Sequence, residues 1–263
     1  MDARSQDQRF ATTLAHGLAL LRCFTPFEPS LSNGELARKS GLSKATVSRL
    51  SYTLELIGLL RFDQEARRYR LGAASLSIGH PLMAHLTVRQ IARPLMQSLA
   101  DQTGGTVSLG LRHRASIIYV ETTRAHDAGD FRPDIGATLP LLDTAVGRAW
   151  LAACDDEERD NAMEWLAREH KVTARAVRVT INTAIDDLAN KGYCVSLGNF
   201  RPDVNAVAVP LKERFRGELI MLNCGVLSSR MSAAQVARSV GPMLKKTAVG
   251  IERLQRQSEK SGV

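Results

Sequence analysis

Small polar and cationic side chains are concentrated between positions 44 and 52 of this 263-residue chain. Lys44 and Arg49 can donate hydrogen bonds to phosphate oxygens or to guanine, and short side chains between them let a backbone approach base edges. This combination is typical of a helix that enters the major groove of DNA. The candidate DNA-contacting residues in this segment are Lys44, Ala45, Thr46, Ser48, Arg49 and Tyr52.

Two short helices joined by a glycine turn are predicted to position these side chains. Ser32 or Asn33 can cap the first helix, and Gly41 can end it in the left-handed conformation. Ser43 can cap the second helix. Apolar residues recur there every three or four positions, which predicts one buried face opposite the polar one. That face consists of Val47, Leu50, Leu54 and Ile57.

A hairpin is predicted directly after the second helix. Residues 59–62 and 68–71 have the pattern of strands, and residues 63–67 have that of a turn. Arg67 and Arg68 suit the DNA backbone or the neighbouring minor groove. Helices followed by such a hairpin predict a winged helix-turn-helix. The alternative interpretation is an ordinary pair of core helices beside a solvated, charged hairpin.

The composition agrees with a polyanionic partner, and the sequence contains no motif that indicates catalysis. The net charge is +8, although a basic chain can also suit RNA or a membrane surface. The sequence has no apolar run of membrane-spanning length and no signal-peptide core, so we expect a cytoplasmic protein without a membrane partner. The four cysteines and six histidines show no metal-ligand spacing. Nucleotide-binding and nucleophile-elbow motifs are absent too, which predicts no cofactor, no metal and no enzyme activity.

The second half of the chain has a mixed pattern of helices and strands. Strands are predicted at 106–111, 117–121, 193–197, 204–211 and 218–224, and helices at 144–153, 155–170, 180–190 and 232–257. This predicts an α+β domain in which helices flank an antiparallel sheet. In the connecting region, Pro81 is expected to break the helical pattern and Pro94 to end or kink a helix.

Six motifs occur in the order found in one known family: residues 16–21, 35–42, 44–50, 139–152, 191–193 and 207–210. From about Phe10 to its end, the chain resembles IclR-type transcriptional regulators. The resemblance implies a winged helix-turn-helix at 1–72, a linker helix at 73–103 and a GAF-like effector-binding domain at 104–263. It also implies a dimer, or a dimer of dimers, that binds an inverted-repeat operator in double-stranded DNA. The alternative is a dimeric DNA-binding protein whose C-terminal domain only oligomerises.

The helix that starts near Thr144 is a candidate anion site. Its residues are small, its first N–H groups favour an anion, and Arg148 adds a cation, so we expect a small carboxylic acid as effector. The resemblance extends the pocket to two strands, giving Thr144, Ala145, Val146, Gly147, Ser196, Asn205, Ala206, Leu222 and Cys224. The neutral and apolar members of this set favour an aromatic or branched acid. The alternative is that the small residues only pack the helix on the sheet.

Overall fold

The computed structural model describes residue 7 and residues 9–128, 133–169 and 173–260. The chain divides into two compact units, Met1–His85 and Leu86–Val263. The predicted linker, residues 73–103, spans this division. His170, the predicted end of a helix, lies outside the described residues.

The first unit contains short helices and a small antiparallel sheet. Its elements are α1 (Thr12–Leu21), β1 (Ser30–Leu31), α2 (Asn33–Ser40), α3 (Lys44–Leu56), β2 (Leu60–Asp63), β3 (Arg68–Leu71) and α4 (Ala74–His85). The strand order is β1-β3-β2, so the hairpin of β2 and β3 follows α3 directly. This arrangement confirms the predicted winged helix-turn-helix.

The predicted helix ends are confirmed at three positions. Ser32 caps α2 in a capping box with Glu35, Gly41 ends α2 with a φ of 71°, and Ser43 caps α3 by accepting from the N–H of Thr46. These signals are local, because each cap satisfies a backbone group of its own helix end. Ile57 differs from the prediction: it follows the end of α3, and 58% of it is exposed.

The core of the first unit lies between helices α1, α2 and α3 and the sheet. It is formed by Leu20, Leu31, Leu36, Val47, Leu50, Leu54 and Leu60. Three of these residues come from one side of α3. The packing therefore fixes which side of α3 remains exposed.

The second unit is built on one six-stranded antiparallel sheet with the order β6-β5-β4-β9-β8-β7. The strands are β4 (Thr106–His113), β5 (Ser116–Arg124), β6 (Thr138–Pro140), β7 (Cys194–Leu197), β8 (Val204–Pro210) and β9 (Ile220–Leu227). The helices are α5 (Val88–Thr103), α6 (Ala145–Ala153), α7 (Asp156–Glu169), α8 (Ala174–Lys191), α9 (Ala233–Gln235) and α10 (Gly241–Lys260), with a π-helical turn at Val236–Val240. Helices α5 and α10 pack on one side of the sheet, and α6 packs on the other with α8 against it. The α+β prediction is confirmed.

The connecting region contains two helices, and neither ends at its proline. Pro81 lies inside α4, which ends at His85, and Pro94 lies inside α5, which begins at Val88. Because residues 76–82 of α4 are exposed, the carbonyl group of Ser77, to which Pro81 cannot donate, can be hydrated. Among the described residues, no helix is both long and apolar enough to cross a membrane.

Candidate DNA-contacting face and effector cavity

The outer side of α3 presents the predicted polar residues to solvent. Lys44, Ala45, Ser48, Arg49 and Tyr52 are exposed. They share this side because Val47, Leu50 and Leu54 occupy the buried one.

Two hydrogen bonds constrain the same side of α3. Thr46 is half-buried, and its hydroxyl lies 2.9 Å from that of Ser43. Asn33 on α2 donates from Nδ2 to Oγ of Ser48 at 2.8 Å, so it helps to orient a candidate base-contacting residue. The sequence signals Asn33 only as a possible helix cap.

The two predicted wing arginines have different surroundings. Arg67 is exposed in the turn, with a φ of 51°. Arg68 is half-buried, and its guanidinium donates to Oγ and the carbonyl oxygen of Ser30 at 3.1 and 2.9 Å and to Glu35 at 2.7 Å. Arg68 therefore ties the hairpin to β1 and α2. Arg61 and Arg70 are the other exposed arginines of this hairpin among the described residues.

Glu35 connects the start of α2 to the wing. Its carboxylate accepts from the N–H and hydroxyl of Ser32, both at 2.8 Å, and from Arg68. These bonds to Ser32, with the contribution of Arg68, lower the pKa of Glu35 to about 2. The ionised carboxylate is thus part of the folded helix-turn-helix at neutral pH.

A cavity in the second unit lies between the sheet and the start of α6. Its lining residues are Tyr119, Leu139, Thr144, Ala145, Ser196, Phe200, Arg201, Val204, Ala206, Asn223 and Gly225. Most of this surface is apolar. The cavity leaves about 20 Å³ for the centre of a water molecule. One ordered water needs roughly this much space.

Tyr119 supplies a buried hydroxyl to this cavity. Its oxygen accepts a hydrogen bond from Nδ2 of Asn223 at 2.8 Å. Burial raises the pKa of the Tyr119 phenol far above its ordinary value, so the phenol keeps its proton. Because Asn223 is the donor in this pair, the phenolic hydrogen is not used in it and can be donated to another acceptor.

The start of α6 contributes unequally to the cavity. Thr144 caps the helix: its hydroxyl accepts from the N–H of Gly147 at 3.1 Å and donates to the carbonyl of Pro140 at 2.7 Å. Ala145 lines the cavity, and as the first residue of α6 its N–H has no acceptor within the helix. Val146 is buried outside the lining.

Gly147 has a packing role. A Cβ atom at this position would overlap the backbone of Leu141, so glycine lets the helix approach the preceding segment. The prediction placed Gly147 in the effector pocket, whereas the structure places it outside the lining.

The predicted pocket residues beyond α6 lie on the three strands β7, β8 and β9, which present alternate residues to the cavity. The predicted residues Ser196 on β7 and Ala206 on β8 line the cavity. The predicted residues Asn205, Leu222 and Cys224 point to the opposite side of the sheet, because successive side chains alternate. The Asn205 amide donates to the carbonyl of Met231, and the Cys224 sulfur lies 3.7 Å from Oγ1 of Thr103 on α5. Their neighbours Val204, Asn223 and Gly225 line the cavity instead.

The predicted cation, Arg148, is used for internal bonds. Its guanidinium donates to the carbonyls of Leu142 and Val195 at 2.8 and 3.1 Å and to Oδ1 of Asn199 at 3.3 Å. It lies outside the lining, whereas Arg201, which the sequence analysis missed, is in it. Across the described part of the chain, no three histidine, cysteine or acidic side chains meet in a group that could hold a metal ion.

Known proteins match both units of the chain. Residues 13–64 match the model of the IclR helix-turn-helix domain, and residues 80–253 match that of the bacterial transcriptional regulator IclR C-terminal domain. The HTH-type transcriptional regulator TsaQ1/TsaQ2 of Comamonas testosteroni is 32% identical over 242 residues, which cover 91% of this chain and 87% of that protein.

Two solved structures share the fold. The crystal structure of an IclR family transcriptional regulator from Brucella abortus is 37% identical, with a TM-score of 0.78 and 96% of each chain covered. A crystal structure of an IclR homologue from Microbacterium hydrocarbonoxydans, complexed with 4-hydroxybenzoate, is 21% identical, with a TM-score of 0.72. That match covers 94% of this chain and 100% of the other, and at this identity it shows the fold alone.

Proposed function

Because the chain belongs to the IclR family of bacterial transcriptional regulators, we propose that it binds an inverted-repeat operator in double-stranded DNA and that a small carboxylic acid modulates this binding. Named members of the family are transcriptional regulators rather than enzymes. The observation that carries the proposal is an exposed polar face on α3 in one unit together with a lined cavity in the other. Two such sites allow effector and operator to affect each other's affinity reciprocally.

In this proposal α3 enters the major groove. Lys44 and Arg49 contact phosphates or guanine, while Ala45, Thr46, Ser48 and Tyr52 contact base edges and the backbone. Arg67 contacts the backbone next to the wing. Arg68 stabilises the wing rather than binding phosphate, because its guanidinium is already bonded to Ser30 and Glu35.

The effector is an acid with an aromatic or branched apolar body. Leu139, Phe200 and Val204 supply apolar contact area, and the Ala145 N–H and the Tyr119 hydroxyl supply hydrogen-bond donors. An acid of this kind, 4-hydroxybenzoate, is bound by the Microbacterium relative with the same fold. Of the predicted set, Thr144, Ala145, Ser196 and Ala206 remain candidates for contact, since they line the cavity.

A second copy of the chain covers the exposed apolar residues of the first unit. Leu14 and Leu18 on α1, and Leu76, Ile78 and Leu82 on α4, are each about half exposed or more. Burying such side chains between two copies is favourable, and paired α3 helices match an inverted repeat. Analytical ultracentrifugation of the full chain tests this assembly, and a monomer at micromolar concentration would contradict it.

The test of the effector site is a thermal-shift screen of the full chain with benzoate, 4-hydroxybenzoate, 3-methylbutanoate and acetate. A ligand at 100 times its Kd stabilises the folded chain by about 2.7 kcal/mol, so the midpoint rises. Operator binding is then measured with and without the hit. We expect the aromatic or branched acids to act and acetate to have little effect. No shift with any acid would favour a second unit that only oligomerises.

A further inference from the structure

A positively charged side chain would bind a carboxylate in the effector cavity more strongly than the neutral donors of Ala145 and Tyr119 alone. Of the residues lining the cavity in the described structure, Arg201 is the one that carries a charge. Arg148, the other nearby candidate, has its guanidinium bonded to backbone carbonyls and to Asn199. Arg201 is therefore the lining residue that can supply a charged side chain to an acid in this cavity.

Arg201 is held by a carboxylate two residues away. Its Nε and Nη2 atoms donate to the two oxygens of Asp203 at 3.0 and 2.6 Å. This pairing raises the pKa of Arg201 and lowers that of Asp203, so both are charged at neutral pH. This is the bidentate geometry in which a guanidinium also binds the carboxylate of a ligand.

We propose that Arg201 binds the carboxylate of the effector and that Asp203 is an internal competitor displaced by it. The inference rests on the proposed effector function and assigns the acid-binding residue within it. One edge of the guanidinium binds one carboxylate in bidentate geometry, and a second carboxylate placed beside Asp203 would be repelled by its like charge. Exchange of Asp203 for the effector avoids this repulsion.

The position of Phe200 and Arg201 in the chain also bears on how a small cavity can admit an aromatic acid. Phe200 and Arg201 lie between β7 and β8, in a segment whose ends are joined by the Gly198 N–H bond to the carbonyl of Val204 at 3.1 Å. About two-fifths of Phe200 is exposed. When Arg201 exchanges Asp203 for the effector, both lining side chains can shift without disturbing the strands.

The test is isothermal titration calorimetry of the full chain with the tightest-binding acid of the screen. Arg201→Gln should weaken binding about tenfold or more, as expected for the loss of a charge-assisted hydrogen bond. Asp203→Asn should strengthen binding by about two- to fivefold, the scale of an exposed ion pair. Arg253→Gln is the matched control: it removes an exposed arginine of α10 outside the cavity lining and should leave affinity unchanged.

The outcomes separate this inference from the effector function. If the wild-type chain binds the acid and Arg201→Gln binds it equally well, the assignment is overturned while the effector function stands. Weaker binding by Asp203→Asn would also overturn it, since Asp203 would then support the site. If no acid binds the wild-type chain, both the Arg201 assignment and the effector function are refuted. Should Arg201→Gln fail to fold, judged by its melting midpoint without ligand, the direction of the Asp203→Asn change decides alone.

Discussion

Arg67 and Arg68 are adjacent in sequence, yet their replacement by alanine should have different consequences. Arg67 is exposed in the wing turn, whereas Arg68 is bonded to Ser30 and Glu35. We therefore expect Arg67→Ala to weaken DNA binding without affecting the folding of the first unit. Arg68→Ala should destabilise that unit and leave the number of phosphate contacts unchanged.

The structure sets the size of both effects. One phosphate contact contributes about 0.9 to the slope of log K against log salt concentration, so Arg67→Ala should reduce the slope by about that amount. Arg68→Ala removes two hydrogen bonds to Ser30, each worth about 0.5–1.5 kcal/mol, which suggests a loss of about 1–3 kcal/mol. The ion pair with Glu35 adds less, because both side chains are about one-third exposed and solvent screens them.

The assay uses a duplex selected from a random-sequence pool by the wild-type protein. Fluorescence anisotropy over a series of salt concentrations gives the slope for each variant, and hydrogen exchange localised to β1 and α2 reports the stability of the first unit. The double variant should lose the slope of one contact rather than two. If Arg68→Ala reduced the slope as much as Arg67→Ala and left hydrogen exchange unchanged, the assignment of Arg68 to the wing's internal support would be refuted.

Three further substitutions test the site assignments. Glu35→Gln should lower the stability of the first unit above about pH 4.5. Because the folded-state pKa of Glu35 is lowered to about 2, this loss of stability should vanish as the pH falls towards 2. Urea titrations at each pH measure the stability difference, and a difference that does not change with pH would contradict the prediction. Arg49→Ala should weaken operator binding and reduce discrimination at one base pair by about 1–3 kcal/mol, measured by anisotropy with single-site operator variants; unchanged preference would remove Arg49 from base contact. Gly147→Val should lower the calorimetric melting temperature of the ligand-free chain, because its side chain would overlap the backbone of Leu141; an unchanged melting temperature would contradict the packing role.

Local signals account for the accuracy of the sequence analysis in the first unit. The caps of Ser32 and Ser43 and the left-handed Gly41 each involve neighbouring residues, so their types and spacing contain the necessary information. The role of Arg68 does not follow from such signals. Its partner Ser30 is 38 residues away in sequence, and only the pairing of β1 with β3 brings the two together.

Two predictions about helix ends, at Ile57 and at Pro81, differ from the structure. Ile57 continues the apolar spacing of α3, but the helix ends before it and the side chain remains exposed. Pro81 and Pro94 are strong helix breakers in isolation, yet both lie inside helices. For Pro81, solvent can replace the missing internal hydrogen bond because α4 is exposed.

The effector cavity shows a different limit of sequence reasoning, one that concerns the side of a strand. The sequence analysis placed the pocket on strands that contribute to the cavity lining, but it selected Asn205, Leu222 and Cys224, which lie outside that lining. A shift of one residue moves a side chain to the opposite side of a sheet. Strands β8 and β9 are covered by helices on both sides and are buried along most of their length. Their composition therefore lacks the alternation that would identify the cavity side. In the structure Asn223 marks the cavity side of β9, because its amide donates a hydrogen bond to the buried Tyr119 hydroxyl within the cavity lining. Changes of effector preference should consequently follow from substitutions at Asn223 and its same-side neighbours, whereas substitutions at Leu222 and Cys224 should alter packing on the opposite side of the sheet.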